Sequence, residues 1–330
     1  MKIEVKELPR YGRELICEVD AERVSSERHR ITEDLRHSVQ LPGFRKGRVP
    51  LDMIEKRFDE DIREKLINTL VSETFFAGAK EHNLSTVIEP EVSEVKLDTT
   101  LSFKVYIEVA PEVQVSGYQG IVVRKIEPEK VTEEKVDEIL NQWEQRKEFA
   151  AAIIDPEKRR AWREKIREQL ASGNIRKARE SEDEQIWQHL LKGVDFEVPE
   201  KLMLHRARKM AEEQLSYSNL QNMAREDIQK LAEDIFEKAK PVAEMQLKRF
   251  FILVKIAETE KIVTTDEEVE QHLQHLSKIS GESLEEIRKK VTDNEKIDDI
   301  KADILLDKTF AFIKSKAEII AKVVLPGEKI

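Results

Sequence analysis

The sequence predicts an α+β N-terminal domain (residues 1–113), an extended linker (114–131) and an elongated, all-α, multi-helix C-terminal domain (132–330). Three observations predict this class. Apolar residues alternate at both ends of the first 113 residues, the period of half-buried strands. Beyond Thr132 they recur at helical spacing instead. The 330 residues include only 10 Gly and 10 Pro, too few for an all-β fold or long disordered linkers. With 39% hydrophobic and 38% charged residues, the cores are expected to be thin and the surface large.

Each element has its own signal. Ile3 and Val5, then Leu15, Cys17 and Val19, alternate as strands with one buried face. Val24, Ile31, Leu35 and Val39 follow helical spacing. A turn segment interrupts, and Pro50 suits the first turn of the next helix, which carries Ile54 and Phe58. Ile62, Leu66, Leu70 and Phe76 continue a helical stripe, and Val92, Val95 and Leu97 return the chain to sheet. Leu101, Phe103, Val105, Ile107 and Val109 form the clearest strand, which Pro111 closes. In the linker, Ile121-Val122-Val123 is suited to pair at a sheet edge.

The helical part opens with Val136, Ile139, Leu140 and Trp143 on one face. Asp155-Pro156 is an N-cap followed by proline at the first helical position. Trp162, Ile166 and Leu170 form a stripe that Gly173 is expected to stop; a further helix with Ile175, Ala178, Ile186 and Leu190 stops at Gly193. Two long helices follow, the second expected to break or kink near Lys240 because Pro241 removes a backbone donor. Thr265-x-x-Glu268 and Ser283-x-x-Glu286 are capping boxes. The final helix, from about Asn294 to Val323, would be ~45 Å long at 1.5 Å per residue.

Composition narrows the function. A net charge of −10 disfavours nucleic-acid binding by the whole molecule, so an anionic partner must be met by a local patch. The single cysteine, Cys17, permits no internal disulfide, fits a reducing compartment and reads as a small buried hydrophobe. The first residues carry no apolar signal-peptide core, and no stretch approaches the ~18 apolar residues of a membrane span, so a cytoplasmic protein with no membrane partner is expected.

One local patch stands out. Gly43-Phe44-Arg45-Lys46-Gly47-Arg48-Val49-Pro50 has the glycines and proline of a turn. It places three cations beside one aromatic ring, and no acid occurs from Gln40 to Val49. From Arg36 to Arg57 there are six Lys or Arg and two Asp or Glu, a net of +4. Such a loop tip can bind a polyanion through its cations and wedge its ring into an apolar notch; the plainer reading is a helix–helix turn with solvated charges.

The octapeptide resembles the Gly-Phe-Arg-x-Gly-x-x-Pro signature of the trigger factor family, the bacterial ribosome-associated chaperones. The order of strands, helices, loop, helices and strands in residues 1–113 resembles that family's ribosome-binding domain. In the family this loop docks on a ribosomal protein at the tunnel exit and on adjacent ribosomal RNA. That role carries over to Gly43, Phe44, Arg45, Gly47 and Pro50. Lys46 fills the variable position with a further cation, and Arg48 stands where Lys is common, keeping the charge and adding bidentate phosphate binding.

More weakly, Asp195-Phe196-Glu197-Val198-Pro199 resembles the family's Asp-x-x-Val-Pro lead-in to the first of two arms, so arm-like projections are expected on the helical domain. The family's FKBP-like peptidyl-prolyl isomerase domain is inserted into the helical domain. Here Lys147-Glu148-Phe149 runs through three alanines to Asp155-Pro156. The insert is therefore expected to be absent near 147–156, and isomerase activity with it.

The residues point to binding rather than catalysis, and neither catalytic, cofactor-binding nor metal-binding residues are assigned. His272-x-x-His275 can bind metal on a helix but has no clear third ligand, so it reads as a solvated face. Four of the six methionines, Met203, Met210, Met223 and Met245, fall in the arm region, where flexible apolar side chains suit promiscuous binding. With Leu202 and Leu215, Met203, Met210 and Met223 are the candidate client contacts; ordinary helix packing is the plainer reading of each methionine. The resemblance thus implies an ATP-independent chaperone for nascent or unfolded polypeptides, a family in which homodimers occur. The alternatives are a helical metal-dependent enzyme and a non-ribosomal assembly factor using the basic loop.

Overall fold

A computed structural model describes residues 1–145, 155–218, 223–293 and 296–320. The chain divides into two compact units: Met1–Glu112 with Phe196–Lys248, and Val113–Asp195 with Arg249–Ile330.

The first unit is built on strands β1 (Lys2–Glu7), β2 (Gly12–Val19), β3 (Glu91–Leu97) and β4 (Leu101–Glu108), in the order β1-β2-β4-β3. All pairings are antiparallel, and the register sets Cys17 opposite Phe103 and Leu15 opposite Val105. The period-2 pattern turns Leu15, Cys17, Val19, Leu101, Phe103, Val105 and Ile107 to one buried face. Helices α1 (Ala21–Ser38), α2 (Leu51–Arg57) and α3 (Asp59–Glu81) supply Ile31, Leu35, Ile54, Ile62, Leu66 and Leu70 to the same core. Gly78 lets α3 approach the sheet, since a Cβ there would lie only 3.0 Å from Ile3 Cδ1.

Two further helices complete this unit, α6 (Glu200–Ser216) and the part of α7 (Arg225–Glu260) that precedes Arg249. They pack through a seam of small residues, Ala207, Ala239 and Ala243, flanked by Met203, Met210 and Phe236.

In the second unit, α4 (Glu133–Glu144) packs on α5 (Pro156–Lys192) through Val136, Leu140 and Ile166. Trp143 and Trp162 meet edge to face at 5.5 Å, the geometry their ring quadrupoles favour. The expected caps are present: the Asp155 side chain accepts the Glu157 N–H, with Pro156 at the first helical position. Thr265 and Glu268 form a reciprocal box at the start of α8 (Asp266–Ser280). Ser283 and Glu286 cap one another's N–H groups at the start of α9 (Leu284–Asp293). Strand β5 (Val122–Arg124) pairs in parallel with β6 (Glu318–Ile320).

Three expectations need correction. Gly173 does not stop a helix; α5 runs through it, because a glycine inside a long helix costs only about 1 kcal/mol and turns on both sides propagate. The break admitted near Lys240 does not occur either: α7 continues through Pro241, with the buried seam residues Ala239 and Ala243 on either side of it. The last helix, α10 (Ile297–Lys316), ends well before Val323, because residues 318–320 form β6 instead. Most of the 147–156 junction lies outside the described residues. Among the described residues, no helix is long and apolar enough to cross a membrane.

Candidate functional site

The basic loop leaves α1 at Val39, whose N–H still donates to Leu35 O. Two tight turns then follow. In the first, the Phe44 N–H donates to Leu41 O at 3.1 Å, and Gly43 sits at the third position with φ +87°. In the second, the Arg48 N–H donates to Arg45 O at 2.9 Å, and Gly47 sits at the third position with φ +77°. Positive φ at that position is what a type II turn requires, and glycine adopts it without steric strain. Buried Leu41 and Val49 pin the loop to the core at either end. Pro50 stands at the N-cap of α2, one residue before the position expected, and its carbonyl accepts from Met53 and Ile54.

Between these pins Arg45, Lys46 and Arg48 are exposed. Among the described residues none of the three makes an ion pair, although the chain is rich in acids. The cations of the preceding helix are engaged instead: Arg23 with Glu73 at 2.6 Å, Arg28 with Asp59 at 3.2 Å and Arg36 with Glu33 at 2.7 Å. The loop therefore offers guanidinium and ammonium donors to an external acceptor, phosphate or carboxylate. Phe44 behaves differently from the expectation of a free wedge. It is half-buried against the unit's own core, so its ring also holds the loop in place.

The expected client residues are distributed over α6 and the segment after it. Met203 and Met210 lie half-buried in the α6–α7 seam. Leu202 is half-buried, and its N–H donates to Glu108 at 2.9 Å. Leu215 borders a cleft of about 300 Å³ with Ala211, Ala232 and Phe236. Met223 is exposed, and so is Tyr217, which is 84% exposed and which spacing arguments had passed over. His272 and His275 lie on α8, the first half-buried and the second exposed; among the described residues no three metal-ligating side chains gather. Sequence reasoning also missed buried Glu108, because nothing in a strand sequence marks one carboxylate of its polar face for burial.

Two family models match the chain. The one described as "Bacterial trigger factor protein (TF)" covers residues 1–143, and the one described as "Bacterial trigger factor protein (TF) C-terminus" covers residues 160–315. Only residues 144–159 lie between them. Trigger factor of Citrifermentans bemidjiense is 35% identical over 127 residues, which is 38% of this chain and 29% of the relative. That of Thermomicrobium roseum is 35% identical over 141 residues, 42% of this chain and 28% of the relative. The chain thus spans under a third of the length of these relatives. Trigger factor of Koribacter versatilis aligns over 413 positions at 22% identity, covering 92% of this chain and 94% of the relative. That alignment is longer than the chain, so the relative contains residues with no counterpart here. A solved structure reported under "Promiscuous Substrate Recognition in Folding and Assembly Activities of the Trigger Factor Chaperone" shares the fold. Its TM-score is 0.57 at 16% identity, over 96% of this chain and 100% of that one.

Proposed function

The chain belongs to the trigger factor family, and from that premise we propose that it is an ATP-independent, ribosome-associated chaperone of the cytoplasm. In this reading it docks near the polypeptide exit and shields apolar segments of nascent or unfolded chains. The observation that carries the reading is the loop Gly43–Pro50: three exposed cations without ion-pair partners among the described residues, held by two glycine turns between the buried Leu41 and Val49. A tunnel-exit ribosomal protein and neighbouring ribosomal RNA supply the carboxylates and phosphates such a loop fits.

Co-sedimentation with ribosomes tests this. The native protein should bind, with affinity falling as salt rises. Changing Arg45, Lys46 and Arg48 together to Ala should weaken binding by at least about tenfold, since the contact depends on charge. Phe44 is left in place because it packs on the core. If the triple variant sediments as the native protein does, the docking assignment is wrong.

Isomerase activity is proposed to be lost, since the family matches leave no room for an inserted domain. Uncatalysed Xaa-Pro isomerisation takes about tens of seconds at 25 °C. The chain should leave that rate unchanged, and a clear acceleration would refute the proposal.

A further inference from the structure

The chain leaves its first unit at Glu112 and returns at Phe196. Where it returns, a carboxylate from the sheet meets the first turn of α6. Glu108, the last residue of β4, is fully buried. Its Oε1 accepts the Lys201 N–H at 2.7 Å and the Tyr106 hydroxyl at 3.1 Å, and its Oε2 accepts the Leu202 N–H at 2.9 Å.

The first N–H groups of a helix have no partner within it. Pro199, at the N-cap of α6, makes no side-chain cap bond. Glu108 supplies from another element the acceptor that Ser or Asp usually supplies locally, and its negative charge suits the helix N-terminus. The dependence is mutual, because a buried carboxylate is expensive without its donors. Flanking contacts reinforce the joint. The Lys201 ammonium pairs with Glu91 and lies 4.1 Å over the Tyr106 ring, and Arg10 reaches Glu200 at 3.3 Å. Burial and the neighbouring Glu108 charge push the Tyr106 hydroxyl up to about 12.

We propose that Glu108 is a positioning residue that caps α6 from the sheet and fastens the α6–α7 pair to the domain carrying the basic loop. The loop and the helix pair then move as one piece. The joint itself is independent of function. Only its use, holding a client surface at a fixed offset from a docked loop, rests on the chaperone reading.

The test needs neither ribosome nor client, so its failure is separable from failure of that reading. Spin labels at Glu60→Cys and Arg208→Cys, both exposed positions in the first unit, report the distance between α3 and α6. The full native chain should give one narrow distribution. Glu108→Ala should broaden it and speed amide exchange at Lys201 and Leu202 by about tenfold or more, the loss expected for hydrogen bonds to a charged group. Glu108→Gln, which keeps one acceptor, should fall between. A merely structural role would lower the melting temperature and leave the distance distribution and local exchange pattern as they were; that result overturns the proposal. Should Glu108→Ala not fold, Lys201→Pro set against Lys201→Ala decides the matter: both lose the ammonium's contacts with Glu91 and Tyr106, and proline, tolerated in the first turn, removes the N–H as well. It should broaden the distribution more than Lys201→Ala does, and equal distributions refute the joint.

Discussion

Cys17 and Glu27 are both buried in the first unit, and each makes a residue-scale prediction. Cys17 faces the core opposite Phe103, and burial pushes its thiol up to about 11. At pH 8 a disulfide reagent should therefore leave the native chain unmodified and titrate one thiol in denaturant; fast stoichiometric labelling of native protein would contradict the placement of β2. The Glu27 carboxyl is lowered from its ordinary value, chiefly by hydrogen bonds from Arg30 and further by the charges of Arg30 and Arg23. Its folded pKa is depressed, so its stabilisation is present above the unfolded pKa near 4.3 and is lost as pH falls through the folded value. Glu27→Gln should cost roughly 1 kcal/mol at pH 7, the arginines being partly exposed, and should flatten the acid limb of a stability–pH curve. An unchanged acid limb would show the pair to be idle. At this scale, legibility followed locality. The turn glycines and the three cations of the loop were readable because both are properties of adjacent residues. The packing of Phe44 and the capping by Glu108 were not, since each depends on partners far away in sequence.

The same contrast holds among the elements. Strands β2 and β4 and helix starts at Asp155, Thr265 and Ser283 were legible, because alternation and capping are written within a few residues. The ends that escaped were set by distant partners or by propagation: α10 gives way to β6 because β5, nearly two hundred residues earlier, pairs with it. Gly173 turns this into a test. It lies within α5, and a Cβ added there would meet open space. Gly173→Ala should therefore stabilise by about 0.5–1 kcal/mol through helix propensity and reduced unfolded-state entropy. Thermal melts should rise by about 2 °C for a chain of this size. A fall would mean that the helix is interrupted at Gly173 in solution.

At the scale of the molecule, the chain order of the domains and their spatial grouping differ. Residues 196–248 join the N-terminal unit in space although the segment Val113–Asp195 separates them in sequence. A fragment beginning at Gln114 would cut through that unit, so client holding is best tested on the full chain. Two sets of apolar residues compete for the role. Met203 and Met210 fill the α6–α7 seam, and replacing both by Ser should cost about 1–2 kcal/mol each, lowering melting temperature and activity together. Leu215, Tyr217 and Met223 face a cleft or the solvent, where apolar burial of a client is worth about 25 cal/mol per Å² before ordering costs. Changing these three to Ser should weaken ATP-independent suppression of aggregation of a denatured protein while helical content and melting temperature hold. If suppression survives the outer triple and falls only with the seam pair in step with stability, the client surface lies elsewhere, and these helices serve only to support it.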